Sequence, residues 1–224
     1  MDINQESAFW ETIKILDDTE VLPHVMVIGS WAEYIYSYYF ESNYQPNIRT
    51  RDVDFLYPNI RKPNRPIKLE EKMKEAGYAV ERDYYTQVVK MFKEDLLEIE
   101  FLTQAVAAGR EAYLDIPAIG IRGQSLRDVN LLARFPLLVE VKKLSITVPE
   151  PAVYALQKII INPHRVPSSK REKDIDSVRI ILPHIYKSDR DLKVLKEILH
   201  DCTKKERKII SQVCIDNQID IIEL

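Results

Sequence analysis

The pattern of apolar and polar positions divides the chain into two parts. Before position 149, apolar residues fall mostly into short runs separated by polar segments, a pattern typical of strands that alternate with helices and turns. After position 150 they recur at spacings of three and four residues, which is typical of amphipathic helices. We therefore predict an α+β fold, with a mixed β-sheet flanked by helices in residues 1–149 and a small all-α domain in residues 150–224.

The first part is predicted to begin with a helix at residues 6–17 and a strand at residues 24–28. Gly29 and Ser30 follow this strand directly and lead into a helix with an aromatic face. Further elements are predicted at residues 69–76 (a helix), at residues 53–57, 78–82, 86–92 and 96–102 (strands), and at residues 137–148 (a strand or hairpin). A loop is predicted for the segment that contains Gly109, Pro117, Gly120 and Gly123.

The second part follows the prolines at positions 149 and 151, which are expected to end the sheet. Its helices are predicted at residues 153–161, 175–185, 192–199 and 209–214. Two of them have capping-box spacing at their starts, in Ser188 with Asp191 and in Thr203 with Glu206.

The composition favours a folded, intracellular protein. Apolar residues make up 46% and charged residues 30% of the chain, close to the average of globular proteins. No apolar run approaches the roughly 18 to 20 residues that span a bilayer, and the N-terminus is polar, so we expect a cytoplasmic protein without membrane contact. The cysteines and histidines lack zinc-site spacing, and no P-loop motif occurs.

The strongest local signal for chemistry is a pair of carboxylates, Asp52 and Asp54, in an otherwise apolar strand. Side chains alternate along a strand, so both carboxylates point to one face, with Cα atoms roughly 6 to 7 Å apart. Oxygen ligands at this separation suit Mg²⁺ or Mn²⁺, which would relieve the repulsion between the two charges. The alternative is a pair of ordinary surface aspartates on a half-solvated strand.

The turn before the second helix favours the interpretation as a metal and nucleotide site. Gly29 lets the backbone approach a ligand closely, and the free amides at the helix start favour a phosphate, to which Ser30 can donate its hydroxyl. A third carboxylate is expected on a neighbouring strand, where Glu98 and Glu100 share one face. Glu100 is preferred because it precedes Phe-Leu, as Asp54 does, and Glu98 remains the alternative.

The order of these features resembles the DNA polymerase β-like nucleotidyltransferase superfamily, over about residues 25 to 180. Within it, the chain is most similar to uncharacterised prokaryotic nucleotidyltransferase-fold proteins and to abortive-infection-type toxins. The resemblance implies a nucleotidyltransferase-type sheet in which Gly29 and Ser30 bind the nucleotide phosphates. It implies that Mg²⁺ or Mn²⁺ is the cofactor and that the catalytic, metal-binding acids are Asp52, Asp54 and Glu100.

The resemblance also implies that Lys158, on the first helix of the C-terminal part, reaches the triphosphate. A surface lysine with a snorkelling side chain is the alternative. The pair Lys173-Asp174 is similar to a Lys-Asp pair that supports the domain junction or the substrate in related families. A weaker indication of phosphate contact is the basic cluster of His164, Arg165, Lys170, Arg171 and Lys173.

We therefore expect an enzyme that moves a nucleoside monophosphate from an NTP to a hydroxyl acceptor, by a two-metal mechanism. RNA, a protein side chain and a small molecule are all open as acceptors. One alternative is a catalytically inactive module that binds a nucleotide or a partner. Another is a metal-dependent nuclease, although a nuclease has no need of the phosphate-binding turn. A toxin role would bring an antitoxin as partner.

Overall fold

A computed structural model describes residues 3–40, 44–47, 50–105, 112–126 and 129–221. These residues form a mixed sheet, a separate hairpin and eight α-helices, so the predicted α+β class is confirmed. The strands are β1 (Met26–Ile28), β2 (Asp52–Tyr57), β3 (Ala79–Arg82), β4 (Val89–Lys93), β5 (Leu97–Gln104), β6 (Tyr113–Ile116), β7 (Ile121–Leu126), β8 (Pro136–Val141) and β9 (Leu144–Pro149). The helices are α1 (Ile3–Asp18), α2 (Ser30–Tyr39), α3 (Leu69–Glu75), α4 (Asn130–Arg134), α5 (Pro151–Ile161), α6 (Ser168–Lys187), α7 (Asp189–Asp201) and α8 (Lys204–Asp216).

The main sheet is built around two parallel strands, β2 and β5. Its path runs β1-β2-β5-β4-β3, and β7 pairs with the C-terminal end of β5 and with β6. Phe55 and Phe101 stack across the two central strands with ring centroids 5.6 Å apart. Their burial fixes the register, because a slip by one residue would turn the apolar side chains to the opposite face.

The first two helices bury aromatic side chains together. Phe9 of α1 stacks on Trp31 of α2 with ring centroids 4.3 Å apart, and both side chains are fully buried. Such packing is worth more than the burial of area alone. It holds the start of α2, and with it the turn at residues 29 and 30, firmly against the sheet.

The C-terminal helices pack around α5, which contacts α6, α7 and α8. The predicted capping box at the start of α8 is present, with Thr203 and Glu206 satisfying each other's backbone amides. At the start of α7, Ser188 accepts a hydrogen bond from the Asp191 amide, but the Asp191 carboxylate accepts one from the Tyr39 hydroxyl at 2.7 Å. That bond ties α7 to α2.

The predicted loop is confirmed at Pro117 and Gly120, which lie in a turn, and it is wrong at Gly123. Residues 117–120 form the turn of the β6-β7 hairpin, and Gly123 lies inside β7. A Cβ atom at position 123 would lie 2.4 Å from the carbonyl oxygen of Phe101, so glycine is needed here for the close approach of β7 to β5. In sequence, such a glycine cannot be told from a turn glycine. Gly109 lies outside the described residues.

The predicted division near residue 149 coincides with the change from β9 to α5. Buried contacts cross it, because the Tyr154 hydroxyl of α5 donates to the Glu33 carboxylate of α2 at 2.6 Å. Two separate domains therefore stay a prediction. Among the described residues, no helix is both long and apolar enough to span a membrane.

Candidate active site

A cleft of about 530 Å³ lies where the sheet, the start of α2 and the C-terminal helices meet. Gly29 and Ser30 line it at the start of α2. Three acids line it from the sheet: Asp52, Asp54 and Glu100. Four cations line it from the helical part: Lys158, Arg165, Lys170 and Lys173. The cleft thus brings together the preferred candidates from the sequence, which are Gly29, Ser30, Asp52, Asp54, Glu100 and Lys158.

The three acids share one face of the two central strands. Asp52 and Asp54 alternate with the fully buried Val53, so their carboxylates leave the same side of β2. In the parallel register of β2 and β5, Asp54 is paired with Glu100 and Asp52 with Glu98. Glu100 lines the cleft, and Glu98 does not. The geometry therefore agrees with the preference for Glu100.

Gly29 brings the turn before α2 next to the acids. Its φ is +66°, a left-handed conformation that glycine adopts without steric cost. A Cβ atom at this position would lie 2.9 Å from Oδ2 of Asp54. Only glycine lets the chain turn into α2 while its backbone lies against this carboxylate.

The environment of Asp54 in the cleft raises the pKa of its carboxyl group. Burial, together with the negative charges of Glu100 and Asp52, raises the pKa of Asp54 to about 7. The cations Arg165 and Lys90 act in the opposite direction. Asp52 is more exposed and accepts a hydrogen bond from the Thr50 hydroxyl at 3.0 Å. Like charges held this close are a feature of sites built to receive a cation.

Glu100 has a partner that sequence reasoning missed. Lys90 of β4 forms ion pairs with both Glu100 and Glu98, and its ammonium lies 2.6 Å from Glu98. In the part of the chain that the structure describes, no three His, Cys, Asp or Glu side chains form a preformed metal site. The donors still fit Mg²⁺, because it is commonly bound through one or two carboxylates plus substrate phosphates. The role of Glu100 as a metal ligand stays a prediction.

The cationic side of the cleft is organised by one buried acid. Asp174 of α6 accepts a hydrogen bond from Lys158 at 2.7 Å and one from Arg165 at 2.8 Å. Lys158 is 8% exposed, so the alternative of a surface lysine is wrong. Burial and the neighbouring Lys158 ammonium lower the pKa of Lys173. These groups leave an excess of positive charge, which suits a polyphosphate.

The segment between α5 and α6, together with the start of α6, brings part of the basic cluster into the cleft. Arg165, Lys170 and Lys173 line it, whereas His164 and Arg171 do not. Three of the five residues of the basic cluster, which was the weaker indication of phosphate contact, thus lie in the same cleft as the acids. Lys90 gave no signal in the sequence, because a lysine between two buried apolar residues is common on a half-exposed strand.

Comparison with known proteins agrees with this architecture. A family model described as nucleotidyltransferase matches residues 8–198. Comparison with curated proteins finds no match.

Solved structures with similar folds include two of the antibiotic-resistance factor ANT(2'')-Ia. Its solution structure is 13% identical, with a TM-score of 0.46 over 90% of this chain and 94% of that one. Its crystal structure with adenylyl-2''-tobramycin is 14% identical, with a TM-score of 0.47 over 93% and 98%. An antigenic nucleotidyltransferase-like protein from Paracoccidioides brasiliensis is 14% identical, with a TM-score of 0.49 over 94% and 91%.

Proposed function

Because the chain belongs to the nucleotidyltransferase family, we propose that it transfers a nucleoside monophosphate from an NTP to a hydroxyl acceptor. The observation that carries this proposal is the composition of one cleft. It combines crowded carboxylates, a turn that begins a helix, and a group of cations. Each of these is common alone, but an NTP in complex with a divalent cation needs all three.

The nucleotide phosphates bind at the start of α2 and against the helical part of the cleft. The amides of the first turn of α2 and the Ser30 hydroxyl donate to the terminal phosphates. Lys158 and Lys173 balance the negative charge of the triphosphate. Asp174 keeps Lys158 in place, since it accepts a hydrogen bond from this ammonium in a buried setting.

Asp52 and Asp54 would hold the divalent cation, Mg²⁺ or Mn²⁺. When bound, this ion would neutralise the phosphates and favour loss of the leaving group. The two carboxylates contribute hard oxygen donors from one face of β2, and their mutual repulsion is relieved by the ion. Asp54 must be ionised to serve as a ligand, so the affinity for the ion should fall as the pH drops below the raised pKa of Asp54.

The reaction is an in-line displacement at the α-phosphorus. The acceptor oxygen forms a bond to this phosphorus, and the bond to the oxygen that leads to the β-phosphate breaks. Pyrophosphate leaves towards the start of α2, and the proton of the acceptor passes to a carboxylate or to water. Glu100 is the third acid and lies on the strand next to Asp54, on the side towards β4.

The acceptor should approach from the β4 side of the acids. In-line geometry puts the entering and leaving oxygens on opposite sides of the phosphorus. The start of α2 follows β1, and the strand order β1-β2-β5-β4-β3 puts β4 beyond Glu100. A groove of about 320 Å³ lies on that side, and Gln124 lines both the groove and the cleft.

The groove suits a small molecule better than RNA. Its volume is at the lower end of small-molecule sites. Its two cations are neutralised, Arg82 by Glu70 and Lys90 by Glu98 and Glu100. Glu81 and Asp83 add negative charge, which disfavours a phosphate backbone. Tyr113 also lines the groove and adds an aromatic side chain.

The experiment that tests the proposal is a label-transfer assay. Purified protein is incubated with each α-³²P-labelled NTP, Mg²⁺ or Mn²⁺, and cell extract, and the label is separated into RNA, protein and small-molecule fractions. We expect label in the small-molecule fraction, dependent on the metal and abolished by Asp52→Ala. Absence of label in every fraction, with no metal-dependent NTP binding by calorimetry, would favour an inactive binding module.

A further inference from the structure

Lys90 is a charged residue beside the acids of the cleft that the proposed reaction does not use. Its ammonium forms ion pairs with Glu98 and Glu100 at once. The Lys90 side chain is 42% exposed and that of Glu100 is 18% exposed, so the pair with Glu100 is partly shielded from solvent. Partial burial lowers the pKa of Lys90, but the hydrogen bonds that its ammonium donates to Glu100 and Glu98 outweigh this effect, and the pKa lies above its usual value.

The sheet fixes this contact. β4 and β5 are antiparallel, and Lys90 is the direct cross-strand partner of Glu100. Side chains of such partners leave the same face only a few ångströms apart, and Glu98 is the next residue of β5 on that face. The adjacent Val89 and Met91 are buried on the other face and prevent a change of register.

Asp52 and Asp54 differ from Glu100 in their ion pairing. Among the described residues, neither aspartate forms an ion pair within 4 Å, although distant cations act on Asp54. Glu100 already has a cation that the chain itself supplies. A divalent ion bound by all three acids would have to displace the Lys90 ammonium or share Glu100 with it, at the cost of repulsion between two cations.

We propose that Lys90 is a positioning residue that keeps Glu100 out of the metal coordination sphere, so that the site takes one divalent cation on Asp52 and Asp54. The remaining ligands come from nucleotide phosphates and water, as Mg²⁺ commonly accepts. This inference rests on the proposed function, and it replaces the second ion of the two-metal scheme with a side chain. It also gives β4 a direct part in the site, next to the acceptor groove.

The test counts bound ions rather than activity. Protein is titrated with Mn²⁺ in the presence of the α,β-methylene analogues of ATP, GTP, CTP and UTP in turn, which cannot undergo transfer. Electron paramagnetic resonance measures free Mn²⁺, and the bound analogue is measured by equilibrium dialysis. The variants are Lys90→Met and Lys90→Gln, which remove the charge, and Lys90→Arg, which keeps it. Lys93→Met is the matched control, because Lys93 lies on the same strand and pairs with Glu11.

The wild type, Lys90→Arg and Lys93→Met should bind one protein-associated Mn²⁺ per analogue. Lys90→Met and Lys90→Gln should bind a second ion at least about tenfold more tightly than the wild type, because a positive charge has been removed beside its ligands. Two ions of similar affinity in the wild type, or one ion in all variants, would overturn the inference while leaving label transfer intact. If no analogue binds with Mn²⁺ and no label is transferred, the proposed function fails as well.

Discussion

Replacing Asp54 by asparagine should stabilise the metal-free protein while it abolishes activity. The wild-type carboxylate is held in a partly buried place beside two other acids, and its pKa is raised from 3.8 to about 7. An acid with a raised pKa in the folded state destabilises that state when it is ionised. Asparagine has nearly the same shape but no charge, so the variant loses this penalty.

The size of the gain in stability follows from the pKa shift of Asp54. A change of about three pKa units corresponds to roughly 4 kcal/mol at about 1.4 kcal/mol per unit, which is an upper limit. Solvent in the cleft and relaxation of the neighbouring side chains reduce this, and we expect about 1 to 2 kcal/mol. For a chain of this size, that raises Tm by roughly 2 to 8 °C.

The pH dependence has a defined sign. The loss of stability caused by the ionised Asp54 is fully present above the folded-state pKa of about 7. It decreases as the pH falls from about 7 towards 4, where the carboxyl group of the unfolded chain also becomes protonated. The Tm difference between Asp54→Asn and the wild type should therefore be largest near pH 8 and shrink steadily towards pH 4. Added Mn²⁺ should stabilise the wild type and have little effect on the variant.

Differential scanning calorimetry across this pH range measures both effects. Asp95→Asn is the matched control, because it removes the same charge from a fully exposed side chain. Its Tm should be close to that of the wild type at every pH. If Asp54→Asn were no more stable than the wild type at pH 8 without metal, the assignment of Asp54 as a strained, cation-receiving acid would be wrong.

Three further variants test other parts of the site. Gly29→Ala should lower the free energy of unfolding by about 1 to 3 kcal/mol and weaken NTP binding. Gly120→Ala is the control, because Gly120 has nearly the same φ but nothing lies within 4 Å of the added Cβ; this variant should lose less stability and bind NTP unchanged. Calorimetric unfolding and NTP titration measure both effects. Lys158→Met should raise the KM for NTP. It should also destabilise the fold by about 1 to 3 kcal/mol, because Asp174 keeps only one cation partner. Unchanged kinetics would show that Lys158 does not bind the nucleotide. Tyr113→Ala should raise the KM for the acceptor several-fold with the KM for NTP unchanged, and a rise in both would contradict an acceptor groove.

Much of the candidate site could be predicted because its acids follow the alternation of side chains along a strand. Asp52 and Asp54 interrupt an otherwise apolar strand at a spacing of two, and Glu100 does so on the strand beside it. Aspartate is depleted in strands, so two aspartates at this spacing are easily noticed. Gly29 is recognisable because a glycine between a buried strand and a helix restricts the backbone to few conformations.

Other features depend on tertiary contacts that leave no local pattern. Gly123 was expected in a loop, but it is required by the carbonyl of Phe101 on a strand more than 20 residues away. Lys90 contacts Glu100 only because β4 pairs with β5 in a register that places the two residues opposite each other. Lys158 lies on an almost wholly buried helix, and its burial depends on Asp174, which a later helix supplies.

The central claim is that the bond to the α-phosphorus is the one that changes. The most direct test compares two labels in parallel reactions, α-³²P and γ-³²P on the same NTP, with Mg²⁺ and the acceptor fraction identified from extract. The account predicts that the α label enters the acceptor and the γ label is released in pyrophosphate, both dependent on Asp52. Transfer of the γ label to the acceptor, or its release as inorganic phosphate with no α label transferred, would contradict nucleoside monophosphate transfer.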